Sequence, residues 1–188
     1  MERATGWGGG LRHAGGSIGT GVREASFADP TATGDGDLGT DSPTLLPNGT
    51  IFSVGKSDIG YVLRQSDLSV VDRIPGLCGS DPVGSNAFDA TTDTLYVPCR
   101  GGGIQEVDLA QGRLGWRDGD VNGAPALAAD SLWALHYDSG TLQALDPATG
   151  AVERTAQAGP VPTFSTPSVA DDGQVLVGTE SGVKAFSG

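Results

Sequence analysis

Residues 141–155 read TLQALDPATGAVERT. Thr141 to Asp146 alternates like a half-buried strand, with Leu142 and Ala144 on one side and Gln143 on the other. Ala151 to Thr155 alternates more weakly, with Val152 inward and Glu153 outward. Between them Asp146 can accept backbone N–H bonds, Pro147 presets φ at the second turn position, and Gly150 permits φ > 0. The stretch therefore predicts a β-hairpin closed by a short, glycine-terminated loop.

The device recurs. Ile104 to Trp116, IQEVDLAQGRLGW, carries the same order of strand, Asp108, three residues and Gly112. Asp146 follows Asp108 by 38 residues. A glycine opens the preceding strand at Gly60, Gly103, Gly140 and Gly182, in steps of 43, 37 and 42. Pro43, Pro125 and Pro167 stand early in three units, and Ala87-Phe88 takes that place in the remaining one. The markers agree on a period near 40. Four short strands per period of this length indicate propeller blades. The best unit places strands at Ala124–Ala128, Ser131–Leu135, Gly140–Leu145 and Ala151–Thr155. No segment of helical period interrupts them, so the chain is expected to be all-β.

The run LWALHYDSGTLQALDPATGAVER, followed by TPSVADDGQVLVGTESGVKAF, resembles the PQQ-like β-propeller repeat. That repeat occurs in quinoprotein alcohol dehydrogenases and in BamB-type outer-membrane assembly lipoproteins. It is also similar to secreted PQQ-binding-like propellers, in which segments like GLCGSDPVGSNAF and LYVPCRGGG carry cysteines. The resemblance covers roughly residues 35 to 188 and speaks for fold rather than activity. It implies about 3.5 to 4 four-stranded antiparallel blades, near 42–79, 80–121, 122–162 and 163–188, behind an irregular, disordered Gly-rich leader over 1–34. Relatives have seven or eight blades. The last unit here lacks a fourth strand, so the chain is expected to be the C-terminal portion of a larger propeller. Its completion would come from upstream blades or from self-association.

The 188 residues carry 11 basic and 23 acidic side chains, a net charge of −12. That balance argues against nucleic acid, which is bound through basic contacts to phosphates, and against anionic membrane surfaces. No apolar run of eighteen residues exists, and residues 1–27 lack the apolar core of a signal peptide. The partner is expected to be a protein or a small ligand.

Candidate chemistry is sparse. Cys78 and Cys99 are the only cysteines. An even pair, with the export implied by the resemblance, favours a disulfide and an extracellular or cell-envelope location. Two buried thiols are the alternative. Asp35, Asp37 and Asp41 alternate in DGDLGTD and could converge on Ca²⁺. The EF-hand loop would need Glu where Leu46 stands, and an acidic linker capping its own turns is the competing reading. His136, Tyr137 and Asp138 follow a strand and could join a binding loop, although a hydrogen-bonded His136 needs no ligand. Trp116 and Trp133 read as fillers between blades, or else as stacking surfaces at the funnel. No catalytic set is found: there is no GxSxG elbow, no Walker motif, and no vicinal cysteine pair of the kind PQQ dehydrogenases use. The expected protein is a non-catalytic binding or scaffolding module without a cofactor. The alternatives are a quinoprotein dehydrogenase fragment with PQQ and Ca²⁺, and a calcium-stabilised or carbohydrate-recognising propeller.

Overall fold

A computed structural model describes residues 17–18, 22–38, 41–79, 81–128 and 130–187. A two-residue pair, β1 (Ser17–Ile18) and β2 (Val22–Arg23), and a segment β3 (Asp41–Ser42) come first. Four antiparallel sheets follow, each built from consecutive strands. Blade 1 holds β4 (Thr44–Leu46), β5 (Thr50–Val54), β6 (Ile59–Arg64) and β7 (Val70–Pro75). After β8 (Gly84–Ser85), blade 2 holds β9 (Ala87–Asp89), β10 (Thr94–Cys99), β11 (Gly103–Asp108) and β12 (Arg113–Asp118). Blade 3 holds β13 (Ala126–Ala128), β14 (Ser131–His136), β15 (Thr141–Leu145) and β16 (Val152–Gln157). Blade 4 has three strands, β17 (Ser168–Val169), β18 (Val175–Thr179) and β19 (Gly182–Phe186), and β19 is its open edge. The first strand of blade 3 begins at Ala126 rather than Ala124, because Pro125 has no N–H to give the ladder. Among the described residues no helix is long and apolar enough to cross a membrane.

The hairpin of residues 141–155 forms as its turn chemistry predicts. Asp146 N donates to the Ala151 carbonyl at 2.8 Å, Gly150 N to the Asp146 carbonyl at 2.8 Å, and Ala148 N to Asp146 Oδ1 at 2.7 Å. Gly150 has φ 72°. A Cβ there would also enter the ring of Trp116, so the position is closed to side chains twice over. Blade 1 makes the same turn without the marker: Leu68 N donates to the Arg64 carbonyl at 2.8 Å, and Leu68 itself holds φ 56°.

The sheets stack face to face, and the core lies between them. Phe52, Val54 and Ile74 of blade 1 meet Leu95, Val97 and Val107 of blade 2. Tyr96 and Ile104 then meet Leu132, Ala134 and Leu145 of blade 3. Leu135 and Leu142 in turn meet Val175 and Val177 of blade 4. Large side chains such as these each contribute about 1.5–3 kcal/mol when removed from water. Trp116 and Trp133 fill gaps between blades. Trp116 Nε1 donates to the Pro147 carbonyl of the next blade at 2.9 Å, beside Tyr96 Oη at 3.2 Å. Trp133 packs towards blade 4 and carries the Arg154 guanidinium 5.0 Å above its ring.

Residues 24–34, expected within the leader, are irregular but packed on blade 1. The Phe27 ring centroid lies 4.9 Å from that of Tyr61, and Tyr61 Oη donates to buried Asp29 at 2.5 Å. Burial pushes the Asp29 carboxyl up, but hydrogen bonds from Tyr61 and Thr31 among others outweigh it and hold the group below its ordinary value. Residues 1–16 lie outside the described residues.

Candidate functional site

The loops between the second and third strand of each blade and the linkers between blades gather at one end of the stack. There a cavity of about 270 Å³ is lined by Val83, Arg100, Gly101, Asn122, Tyr137, Asp138, Thr163 and Phe164. Val83, Asn122, Thr163 and Phe164 belong to the linkers, and the rest belong to the loops after β10 and β14.

These pieces are held by backbone hydrogen bonds. Val83 N donates to the Pro98 carbonyl at 3.0 Å, and Arg100 N to the Asp81 carbonyl at 2.7 Å, zipping the first linker onto the end of β10. The Cys78–Cys99 disulfide ties the same linker to the residue before Arg100. Asn122 N and Gly123 N both donate to the Leu135 carbonyl, at 3.1 and 2.9 Å, and Asn122 Oδ1 accepts from Tyr137 N at 2.9 Å. The second linker is thereby locked onto the loop of its own blade. The walls are built before any ligand arrives, which lowers the ordering cost of binding.

The cavity combines a guanidinium, a carboxylate, an amide and a hydroxyl with two aromatic rings. Asp138 is exposed, and burial pushes the Tyr137 phenol up. Phe164 is 58 % exposed and holds φ 72°. A bulky residue in the left-handed region costs about 1–2 kcal/mol, and such strain gathers at functional sites. An exposed ring held at that cost beside a polar cavity makes a stacking surface.

The residues singled out by sequence divide. Tyr137 and Asp138 line the cavity, whereas His136 is not in its lining and accepts a hydrogen bond on Nδ1 from Ser139 N at 3.2 Å, capping the loop. Cys78 and Cys99 are joined, as the even pair and the resemblance led one to expect. Asp35, Asp37 and Asp41 are not brought together. Lys56 Nζ stands between the first two, at 2.7 Å from Asp35 and 3.3 Å from Asp37. That amine supplies the positive charge a cation would have brought, and it holds Asp35 below its ordinary value. Asp41 is buried elsewhere and accepts from Asn86 Nδ2 at 2.8 Å. Among the described residues no three His, Cys, Asp or Glu side chains are grouped to hold a metal. Sequence reasoning missed Arg100, Asn122 and Phe164, which come from three different units. The only local signals were the polar turns CRGGG and VNG, and Phe164 gave none.

Comparison with known proteins bears on the fold. No protein-family model matches the chain, and no curated protein sequence does. Solved structures do. The computationally designed Ika4 protein superposes with a TM-score of 0.62 at 15 % identity, over 79 % of this chain and 89 % of that one. BamB from Moraxella catarrhalis gives 0.62 at 20 % identity, over 79 % of this chain and 46 % of BamB. The WD40 β-propeller domain of Doa1 gives 0.61 at 13 % identity, over 78 % and 50 %. The chain thus spans about half the length of BamB and of the Doa1 domain. It is an all-β repeat protein with propeller-like sheets, a class that includes BamB and WD40 folds. At these identities the likeness concerns architecture alone.

Proposed function

We propose that this chain is a non-catalytic binding module, and that its ligand enters the cavity between the blade linkers and the loops after β10 and β14. The observation that supports this most is the strained, exposed Phe164 beside a pre-built polar wall of Arg100, Asn122, Tyr137 and Asp138. The volume sets the scale. Ligand pockets usually run from about 300 to 1,000 Å³. At about 270 Å³ this cavity suits one sugar ring or one peptide side chain, and a tricyclic quinone is too large for it. The mixed charges and aromatic walls favour an uncharged polar ring or a zwitterionic residue. The disulfide supports service in an oxidising compartment, such as the cell envelope or the extracellular space.

Saturation-transfer NMR against a panel of monosaccharides and capped dipeptides tests the proposal, with PQQ plus Ca²⁺ as a comparison. Transfer to a sugar or peptide that disappears in Phe164→Ala and in Asp138→Ala is the expected result. The reading fails if every panel member is silent, or if signals survive both substitutions.

A further inference from the structure

The three internal junctions obey one register. On the face each blade turns to its predecessor, strand pairing places Leu45, Ile51 and Leu63 of blade 1 in the positions of Phe88, Leu95 and Val107 of blade 2. The same positions hold Leu127, Leu132 and Leu145 in blade 3. In blades 2 and 3 these residues pack on the preceding blade. In blade 1 the equivalent face lacks a preceding blade among the described residues. Leu45 is 72 % exposed there.

The other end mirrors this. On the face each blade turns to its successor, Val183 of blade 4 occupies the position of Ile104 and Leu142, both fully buried in their junctions. Val183 is 74 % exposed. Leu176 beside it stands where Tyr96 and Trp133 stand in blades 2 and 3. Leu45 and Val183 are the two most exposed large hydrophobic residues described, and they lie on opposite ends of the stack.

The two faces are therefore opposite halves of the same repeated contact, one built to follow a blade and one built to precede it. The receiving face is also hollow. A cavity of about 580 Å³ remains against blade 1, walled by Phe27, Leu38, Ile51 and Leu63 among others, with Asp37 and Asp41 in its lining. Phe27 packs on Tyr61 and with Leu38 also walls this cavity, and Leu63 is already buried, so Leu45 and the half-buried Ile51 are the open part of the face.

We infer that a second copy of this chain seats the Val183–Leu176 face of its blade 4 on the Leu45–Ile51 side of blade 1. This contact is head to tail, and such contacts form rings when the rotation closes. With the four blade sheets among the described residues, two copies bring eight, the upper end of the usual four to eight blades, and three copies would exceed it. A closed pair is thus the favoured assembly, with two equivalent junctions.

Sedimentation velocity of the whole chain across a wide concentration series tests this. The wild type is expected to reach twice the 18.9 kDa chain mass. Leu45→Asp and Val183→Asp, each at an exposed site, should sediment as monomers with unchanged circular dichroism. Should either lose its sheet signal, Leu45→Ser and Val183→Thr report the same contact. The decisive arm mixes the two Asp variants. Each retains the face the other has lost, so the mixture should regain one junction and associate. A wild type monomeric at every concentration overturns the inference. So does a variant that still pairs, and so does a mixture that stays monomeric.

Discussion

Replacing Gly150 by valine should destabilise the protein through two separable effects. The first is conformational: at φ 72° a side chain in the left-handed region costs about 1–2 kcal/mol. The second is steric, because the new Cβ enters the Trp116 ring, which its hydrogen bond to the Pro147 carbonyl holds in place. Overfilling a packed site costs about 1–3 kcal/mol. The sum is about 2–5 kcal/mol. For a chain of this size each kcal/mol moves the melting point by about 2–4 °C, so a drop of roughly 4–20 °C is expected. Gly49 supplies the control. It has φ 77° but faces open space, so Gly49→Val bears the conformational cost alone. Thermal melts followed by circular dichroism compare the two variants, and Trp fluorescence reports whether Trp116 has moved. Equal melting points would refute the claim that the blade 2–blade 3 junction closes on Gly150.

Other outcomes follow from single groups. Asp41 is buried beside Asn86, and desolvation pushes its carboxyl up to about 7 against the hydrogen bonds that lower it. An unfolded aspartate titrates near 3.9, so the folded state holds an extra proton between these values, and stability falls as pH rises from about 4 through about 7. Asp41→Asn should flatten that fall and stabilise the protein by up to about 4 kcal/mol at pH 8; urea melts at pH 5 and pH 8 that keep the wild-type difference would contradict it. Reducing the Cys78–Cys99 bridge, which closes a loop of 21 residues, should cost about 3 kcal/mol, read as a lower melting point in phosphine than in buffer; an unchanged melt would show that the blades hold without it. Phe164→Gly should relieve about 1–2 kcal/mol of backbone strain and raise the melting point while weakening any ligand that stacks on the ring; a lower melting point would mean that Phe164 is held by packing rather than strained for binding.

The readable part of this protein was local. An Asp that caps its own turn, a glycine four residues later and alternation on either side are interactions between neighbours in the chain. They showed the hairpin at 141–155, its repetition, and hence a stack of sheets. The turn that carries Tyr137 and Asp138 was legible for the same reason, because it lies between two clear strands. The even cysteine pair was legible as a pair, with its geometry left to the fold.

Contacts between distant residues were not legible. Leu68 adopts the turn that elsewhere belongs to glycine, because the pairing of β6 with β7 imposes it against the residue's own preference. Asp29 lies in a stretch whose composition reads as irregular. Its burial depends on the Tyr61 hydroxyl, which stands 32 residues further on. The sequence DGDLGTD left a cation loop and an acidic linker both open, and it gave no sign that Lys56 would stand between two of its carboxylates. Arg100, Asn122 and Phe164 meet only because stacked repeats bring the same end of every blade to one place. Sequence alone therefore determined the repeating unit, since turns and strands arise from residues within a few positions of one another. The tertiary structure decided the cavity, the buried charges and the two unpartnered faces, because each is made where one unit meets another.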